Sequence, residues 1–385
     1  MLLPIRPARG RYSGLILRLL RDEGPRSRTK LSEDTRLSPT TISKAVAPLL
    51  ARGWLEESEI APAGVGRPAI ILRQLPEAIS ICGVQIGAGF ARIGIADGWA
   101  RVRAAEAVTF DPRSPVRDVL EQVAAAAEEL VCADGSRCLA VGVAAPGPVD
   151  AAHRVNLLSI NLGWRDAPVA DVFEDCLRLP ATVDHNVRAM ALAEARYGGH
   201  AVASMAYVYV KTGVGLGLVL KGAPFFGGSH GVSELGHIRV QDDGERCACG
   251  ATGCLETVVS EPYLVRRLAG LGVAVQPGPD PAVLSTVESL RDEPRVEAVR
   301  QDLITNLSRG LASVVNLLNP DRILLGGVFA DAPGTLIEDI ETALRAEVFP
   351  LLRDEIHIVP PRLAEAGVSA GAAVALESAI YSDPD

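Results

Sequence analysis

Along the first 75 positions apolar residues recur with the spacing of short amphipathic helices; after position 78 short apolar runs alternate with longer helical stretches. Residues 12–21 place Leu15, Leu19 and Leu20 for one helical face, and 29–34 read as a short second helix. Ser38 is a good helix cap and Pro39 suits a first helical position, so a third helix is expected over 39–52, ending at Gly53. Ile42, Val46, Leu49 and Leu50 form its apolar stripe, and Pro48 inside it predicts a kink. Residues 54–58 and 69–72 can then pair as a hairpin around Ala63-Gly64-Val65-Gly66-Arg67-Pro68.

The second part reads as strands over 79–86, 91–96 and 101–109, a helix over 116–131 and a strand over 138–143. A helix over 169–177, a strand over 181–184 and a helix over 188–197 complete one cycle. A second cycle has strands over 205–211 and 216–220, helices near 263–271 and 297–318, and a strand over 322–325. Strands alternating with helices predict an α/β body, and the two cycles suggest a duplicated architecture. Residues 280–293 lack a pattern and are expected as a surface excursion.

A chain of 385 residues with 48% hydrophobic and 22% charged positions is not a disordered one. No apolar run is long enough to span a membrane, and the Arg-bearing first residues lack the apolar core of a secretion signal, so a cytoplasmic protein with no membrane partner is expected. Charge divides unevenly. Residues 1–75 carry 13 Lys+Arg against 7 Asp+Glu, a net of +6, whereas the rest carries 25 against 40, a net of −15. A basic segment on an acidic body suggests that only the former meets a polyanion. In a helix-turn-helix the N-terminal end of the second helix enters the major groove. Ser38, Thr40, Thr41, Ser43 and Lys44 stand there, and Arg67 tips a wing suited to a backbone or a narrow minor groove. Residues 1–75 are therefore read as a winged helix-turn-helix domain for double-stranded operator DNA, the alternative being a three-helix interaction module.

Three of seven cysteines lie together, Cys247, Cys249 and Cys254, with Gly250 and Gly253 between them and His237 upstream. Three thiolates and one imidazole make a closed tetrahedral zinc set, which is structural rather than catalytic. A redox pair or inert packing cysteines are the alternatives. The odd count and scattered remainder do not suit a disulfide framework.

Glu234-Leu235-Gly236-His237 with the run from Cys247 to Glu256 resembles the signature of the ROK family (repressors, open reading frames and sugar kinases). Pro146-Gly147-Pro148-Val149-Asp150, Asn161-Leu162-Gly163-Trp164 and Thr212-Gly213-Val214-Gly215-Leu216-Gly217 extend the resemblance. It covers essentially the whole chain, because a winged helix before this body is the family's repressor layout. The resemblance implies a two-lobed, actin-like (ribonuclease-H-like) α/β body over 76–385. Lobe 1 would span about 76–190 plus the C-terminal helix, and lobe 2 about 191–367. It also implies a sugar in the cleft and a homodimer or homotetramer.

By resemblance, Asn161, Glu234, His237 and Glu256 contact sugar hydroxyls, unless the two glutamates only orient the zinc site. Two positions depart from the family's kinases: Gln85 stands for the Asp of the phosphate loop, and Asn186, in Asp184-His185-Asn186-Val187-Arg188, for the general base. An amide is no base, yet it can bond a hydroxyl, so Asn186 is expected to bind sugar without chemistry. The expected function is a sugar-responsive transcriptional regulator, most economically a repressor of carbohydrate genes, in which cleft closure alters operator affinity through the short linker at 74–78. A kinase fused to a DNA-binding domain and a repressor controlled by a protein partner are the alternatives.

Overall fold

The computed structural model describes residues 12–60, 69–150, 152–200, 202–275 and 282–383. The N-terminal segment forms α1 (Ser13–Glu23), β1 (Arg26–Ser27), α2 (Arg28–Thr35), α3 (Pro39–Ala51), β2 (Leu55–Ile60) and β3 (Ala69–Gln74). The strands make one small sheet, β1-β3-β2, antiparallel throughout. Ser38 caps α3 as expected, accepting the Thr41 amide at 3.1 Å. The helix continues through Pro48. In α1 the buried residues are Ser13, Gly14, Ile16, Leu17 and Leu20; Leu15 and Leu19, expected inside, are only half-buried. The reason is that α1 serves two surfaces, its own domain and the body beneath it. Arg67 and the wing tip lie outside the described residues.

Lobe 1 comprises β4 (Ser80–Ile86), β5 (Phe90–Ala96), β6 (Val102–Thr109), α4 (Val116–Asp134), β7 (Cys138–Ala145), a hairpin of β8 (Asn156–Ser159) and β9 (Trp164–Ala167), α5 (Val169–Leu177) and β10 (Ala181–His185), and α6 (Asn186–Tyr197) then crosses to lobe 2. Lobe 2 comprises β11 (Met205–Val210), β12 (Val214–Leu220), β13 (Ala223–Pro224), α7 (Glu256–Val259), α8 (Glu261–Gly270), α9 (Val283–Ser289), α10 (Pro294–Leu318), β14 (Arg322–Gly327), α11 (Gly334–Glu347) and β15 (Ile358–Val359), and α12 (Ala366–Ala375) returns to lobe 1. The sheets run β10-β7-β4-β5-β6 and β13-β12-β11-β14-β15. In each, a three-strand antiparallel meander is followed by two parallel strands, so the suggested duplication is real. One earlier expectation fails: 280–293 is no mere excursion, because α9 buries Val283, Leu284 and Val287 in the lobe 2 core.

Small residues set how closely the layers meet. α12 reads Ala-Gly-Val-Ser-Ala-Gly-Ala-Ala-Val-Ala and lies on β4, β5 and β7, where a Cβ at Gly83 or Gly142 would overlap the Val368 or Gly371 carbonyl. Gly215 and Gly217 of β12 likewise admit Val187, so α6 packs directly on the lobe 2 sheet.

The N-terminal domain is docked on the body rather than tethered to it. One continuous core joins Ile16, Leu17, Ile42 and Leu49 to Ile79, Ile81, Leu376 and Tyr381. The supposed linker is itself packed: Gln74 is buried and donates to the Tyr381 hydroxyl at 2.9 Å. Asp383 accepts the Gly14 and Leu15 amides at 2.8 and 3.0 Å, satisfying donors that a helix start leaves free.

Candidate functional site

A cleft opens between the lobes. Its walls include Gln85, Gly87 and Ala88 after β4, Ile160 and Asn161 after β8, His185 and Asn186 at the start of α6, Thr212–Gly215, and Glu234, His237 and Glu256. All five sequence-assigned effector residues, Asn161, Asn186, Glu234, His237 and Glu256, therefore face one space. Its volume is about 320 Å³. A small polar ligand of a few hydroxyls fits such a volume.

Each side chain has an identifiable support. Glu256, first residue of α7, accepts the Val214 amide at 3.1 Å, and burial raises its carboxyl above the usual range. A Cβ on Gly213 would overlap the Glu256 carboxylate and touch the Asn161 amide. The glycine of this loop thus makes room for two cleft residues to converge; the loop is more than a hairpin. Asn186 accepts the Val187 amide at 2.8 Å, leaving its amide nitrogen for another partner.

His185 was quoted in the sequence motif but given no role. Its ring lines the cleft, is 7% exposed, and its Nδ1 has no hydrogen-bond partner among the described residues. Burial holds the imidazole neutral, with a pKa lowered to about 4. An orphan buried nitrogen beside Asn186 is a signal that only the three-dimensional arrangement provides.

Gln85, at the phosphate-loop position, is buried at the lobe junction. Its amide donates to the Tyr209 hydroxyl at 3.4 Å, and it packs against Gly367 at the start of α12.

Below the cleft, His237, Cys247, Cys249 and Cys254 bring their ligand atoms within 4.8 Å of one another, an arrangement that can hold a metal ion. Gly250 and Gly253 both take positive φ, 95° and 73°, which folds the loop back on itself. The spacing is the test of fit. Zinc–sulfur bonds of ~2.3 Å and zinc–nitrogen bonds of ~2.0 Å in a tetrahedron separate two sulfurs by ~3.8 Å and a sulfur from a nitrogen by ~3.5 Å. Cys249 and Cys254 are 3.8 Å apart, and Cys247 lies 3.5 Å from His237 Nδ1. The other ring nitrogen, Nε2, stands 3.9 Å from Glu234 on the cleft side. One imidazole thus joins the Cys/His cluster to the cleft wall.

The DNA-facing assignments fall on α3. Ser38, Thr40, Ser43 and Lys44 are exposed and Thr41 is half-buried, while Ile42, Val46 and Leu49 point inward. Ser38 and Thr41 are also 2.9 Å apart in the cap, so part of their hydrogen bonding is local. Among the described residues no helix is long and apolar enough to cross a membrane.

Comparison with known proteins follows the same lines. The model of the ROK family matches residues 81–378. The transcriptional dual regulator NagC of Escherichia coli is 26% identical over 361 residues, covering 91% of this chain and 88% of that protein. The transcriptional repressor Mlc of Escherichia coli is 27% identical over 386 residues, covering 96% and 93%. The crystal structure of a ROK family transcriptional regulator, a homologue of Mlc, superposes with a TM-score of 0.80 at 26% identity, covering 96% of each chain. A ROK family glucokinase from Streptomyces griseus, solved with glucose and AMPPNP, gives 0.66 at 25% identity, covering 76% of this chain and 98% of its own.

Proposed function

This chain belongs to the ROK family, and on that premise we propose that it is a sugar-responsive DNA-binding transcriptional regulator, acting as a repressor of carbohydrate genes. One observation carries the reading: a single chain joins an N-terminal domain of three helices and a small sheet, docked through a shared core, to an interlobe cleft faced by Asn161, Asn186, Glu234, His237 and Glu256. The regulators it resembles match it over nearly their whole length and cover 96% of this chain, so the match reaches into its N-terminal segment.

In this reading Ser38, Thr40, Thr41, Ser43, Lys44 and the wing's Arg67 meet operator DNA. A homodimer or homotetramer presents two such domains to an inverted repeat. Asn161, Asn186, Glu234, His237 and Glu256 hold the hydroxyls of a sugar. Carboxylates accept from vicinal hydroxyls, amides both donate and accept, and His237 Nε2 contributes one further bond. Names among the relatives, N-acetylglucosamine repressor and xylose repressor, point to that substrate class.

His237, Cys247, Cys249 and Cys254 hold zinc, which supplies a fixed cross-link and no reaction step. With zinc bound through Nδ1, the His237 ring would be fixed in tautomer and angle, leaving Nε2 for the ligand. Gln85 and Asn186 leave the cleft without an acidic group at either kinase position, so binding proceeds without phosphoryl transfer.

Titration calorimetry with glucose, N-acetylglucosamine and xylose tests the cleft. Saturable binding of one of them, weakened by about 10–100-fold in Glu256→Gln, is expected, because a hydrogen bond to a charged group contributes roughly 1.5–3 kcal/mol. Binding of none, from folded metal-loaded protein, would overturn the reading.

A further inference from the structure

We propose that α6 is the mechanical link between cleft and DNA-binding domain, and that Tyr197 at its far end is the joint. The proposal rests on the reading just given, a sugar in the cleft and DNA on α3. α6 has 12 residues and is therefore about 18 Å long. Its first residue, Asn186, lines the cleft, as does His185 before it. Its last residue, Tyr197, packs both on the core that unites the N-terminal domain with lobe 1 and on the core between the lobes.

The contacts at that end are specific. Tyr197 donates its hydroxyl proton to Glu377 at 3.0 Å and accepts from the Arg21 guanidinium at 3.2 Å. Arg21 belongs to α1, donates to Glu377 at 2.8 Å, and stacks over the rings of Tyr197 and Tyr381, 5.1 and 4.4 Å from their centroids. Its side chain is 5% exposed. One arginine of the DNA-binding domain is thus clamped between α6 and the C-terminal segment.

Elsewhere α6 lies between α12 and the lobe 2 sheet, and its polar fastenings run to lobe 2. Gly215 and Gly217 of β12 receive Val187. Buried Glu194 accepts the backbone amides of Arg362 and Leu363, both at 2.9 Å. A ligand that draws Glu234 and Glu256 of lobe 2 toward Asn161 of lobe 1 carries α6 with lobe 2, whereas Arg21, Glu377 and Tyr381 stay with lobe 1. The relative movement is then read at the Tyr197 hydroxyl. A helix bonded along its whole length passes such a displacement from end to end, provided the ligand prefers one arrangement of the lobes.

The test is Tyr197→Phe in the full-length protein, which removes the hydroxyl and keeps the ring, with Glu377→Gln as a second variant of unchanged shape. Operator affinity is measured by fluorescence anisotropy with and without glucose, N-acetylglucosamine or xylose, and sugar affinity by calorimetry. The expected result is a sugar Kd within about twofold of the parent protein's, while the sugar-induced change in operator affinity shrinks by about fivefold or more, the lower end of ordinary coupling. A purely structural role would lower stability without separating these quantities. Full retention of the sugar response in both variants would overturn the link. A parent protein that binds a sugar with no change in operator affinity would instead remove the regulatory reading itself, and the link with it.

Discussion

Replacing Cys249 with Ser removes one of four ligands from the cluster below the cleft. In the folded protein that cluster ties His237 to Cys254, 17 residues further on. Closing a loop of ~15 residues with a permanent cross-link is worth about 3 kcal/mol through the unfolded chain. A four-ligand metal does at least this, since it joins two further points, Cys247 and Cys249, as well. With an unfolding entropy of ~2.1 cal/mol/K per residue over the 76–385 body, about 3 kcal/mol corresponds to a fall in Tm of roughly 4–5 °C. A second effect follows from the shared imidazole. With the metal gone, His237 is no longer held by Nδ1, and the loss of such orientation costs ~10–100-fold in the function it supports. The assay combines elemental analysis, differential scanning calorimetry and sugar calorimetry on the parent protein and Cys249→Ser. One zinc per parent chain, its loss in the variant, the lower Tm and weaker sugar binding should appear together. A parent protein free of zinc, or a variant whose Tm stays within about 2 °C of the parent's, would refute the reasoning from the 3.8 and 3.5 Å spacings.

Three further outcomes are expected. His185 is neutral in the fold, with a pKa lowered to about 4 from an ordinary 6.5, so the unfolded chain takes up its proton first as pH falls. Its contribution, roughly 3 kcal/mol, is complete above pH ~6.5 and is lost as pH drops toward ~4; denaturant titrations should show this slope, and His185→Asn should flatten it. Gly213→Ala places a methyl where the Glu256 carboxylate lies, so sugar affinity should fall by about tenfold or more, read by calorimetry, while helix content stays unchanged. Lys44→Ala should weaken operator binding and, if Lys44 meets a phosphate, lower the slope of log affinity against log salt by about 1; an unchanged slope and affinity would take Lys44 out of the interface.

Much of this molecule was legible in its sequence, and the failures have physical causes. The repeated strand–helix rhythm exposed both lobes because strands buried on one or both faces read as short apolar runs. α12 entered only as the C-terminal helix that the family resemblance implied, because a helix buried all round has no polar face and so no period: its ten residues are small or apolar throughout. α9 and α11 did carry apolar spacings, Val283-Leu284-Val287 and Leu336-Ile340-Leu344, but poorly patterned flanks hid the first and the second went unread. The cleft residues were reached through the family resemblance and the metal ligands through Cys/His spacing; both sets converge as expected. The docking of the N-terminal domain was invisible, because it joins Gly14 and Arg21 to Glu377 and Asp383 across the whole chain. The orphan nitrogen of His185 was invisible for a related reason: burial without a partner is a property of the fold.

The central claim is that one molecule reads DNA at its N-terminal domain and sugar in its cleft, each affecting the other. The most direct measurement is selection of bound fragments from the host genome by the purified, zinc-loaded protein, with and without glucose, N-acetylglucosamine and xylose. The account predicts enrichment of a short inverted repeat beside carbohydrate genes, lost or shifted when the right sugar is present. No enrichment under any of these conditions, from folded protein, would contradict it.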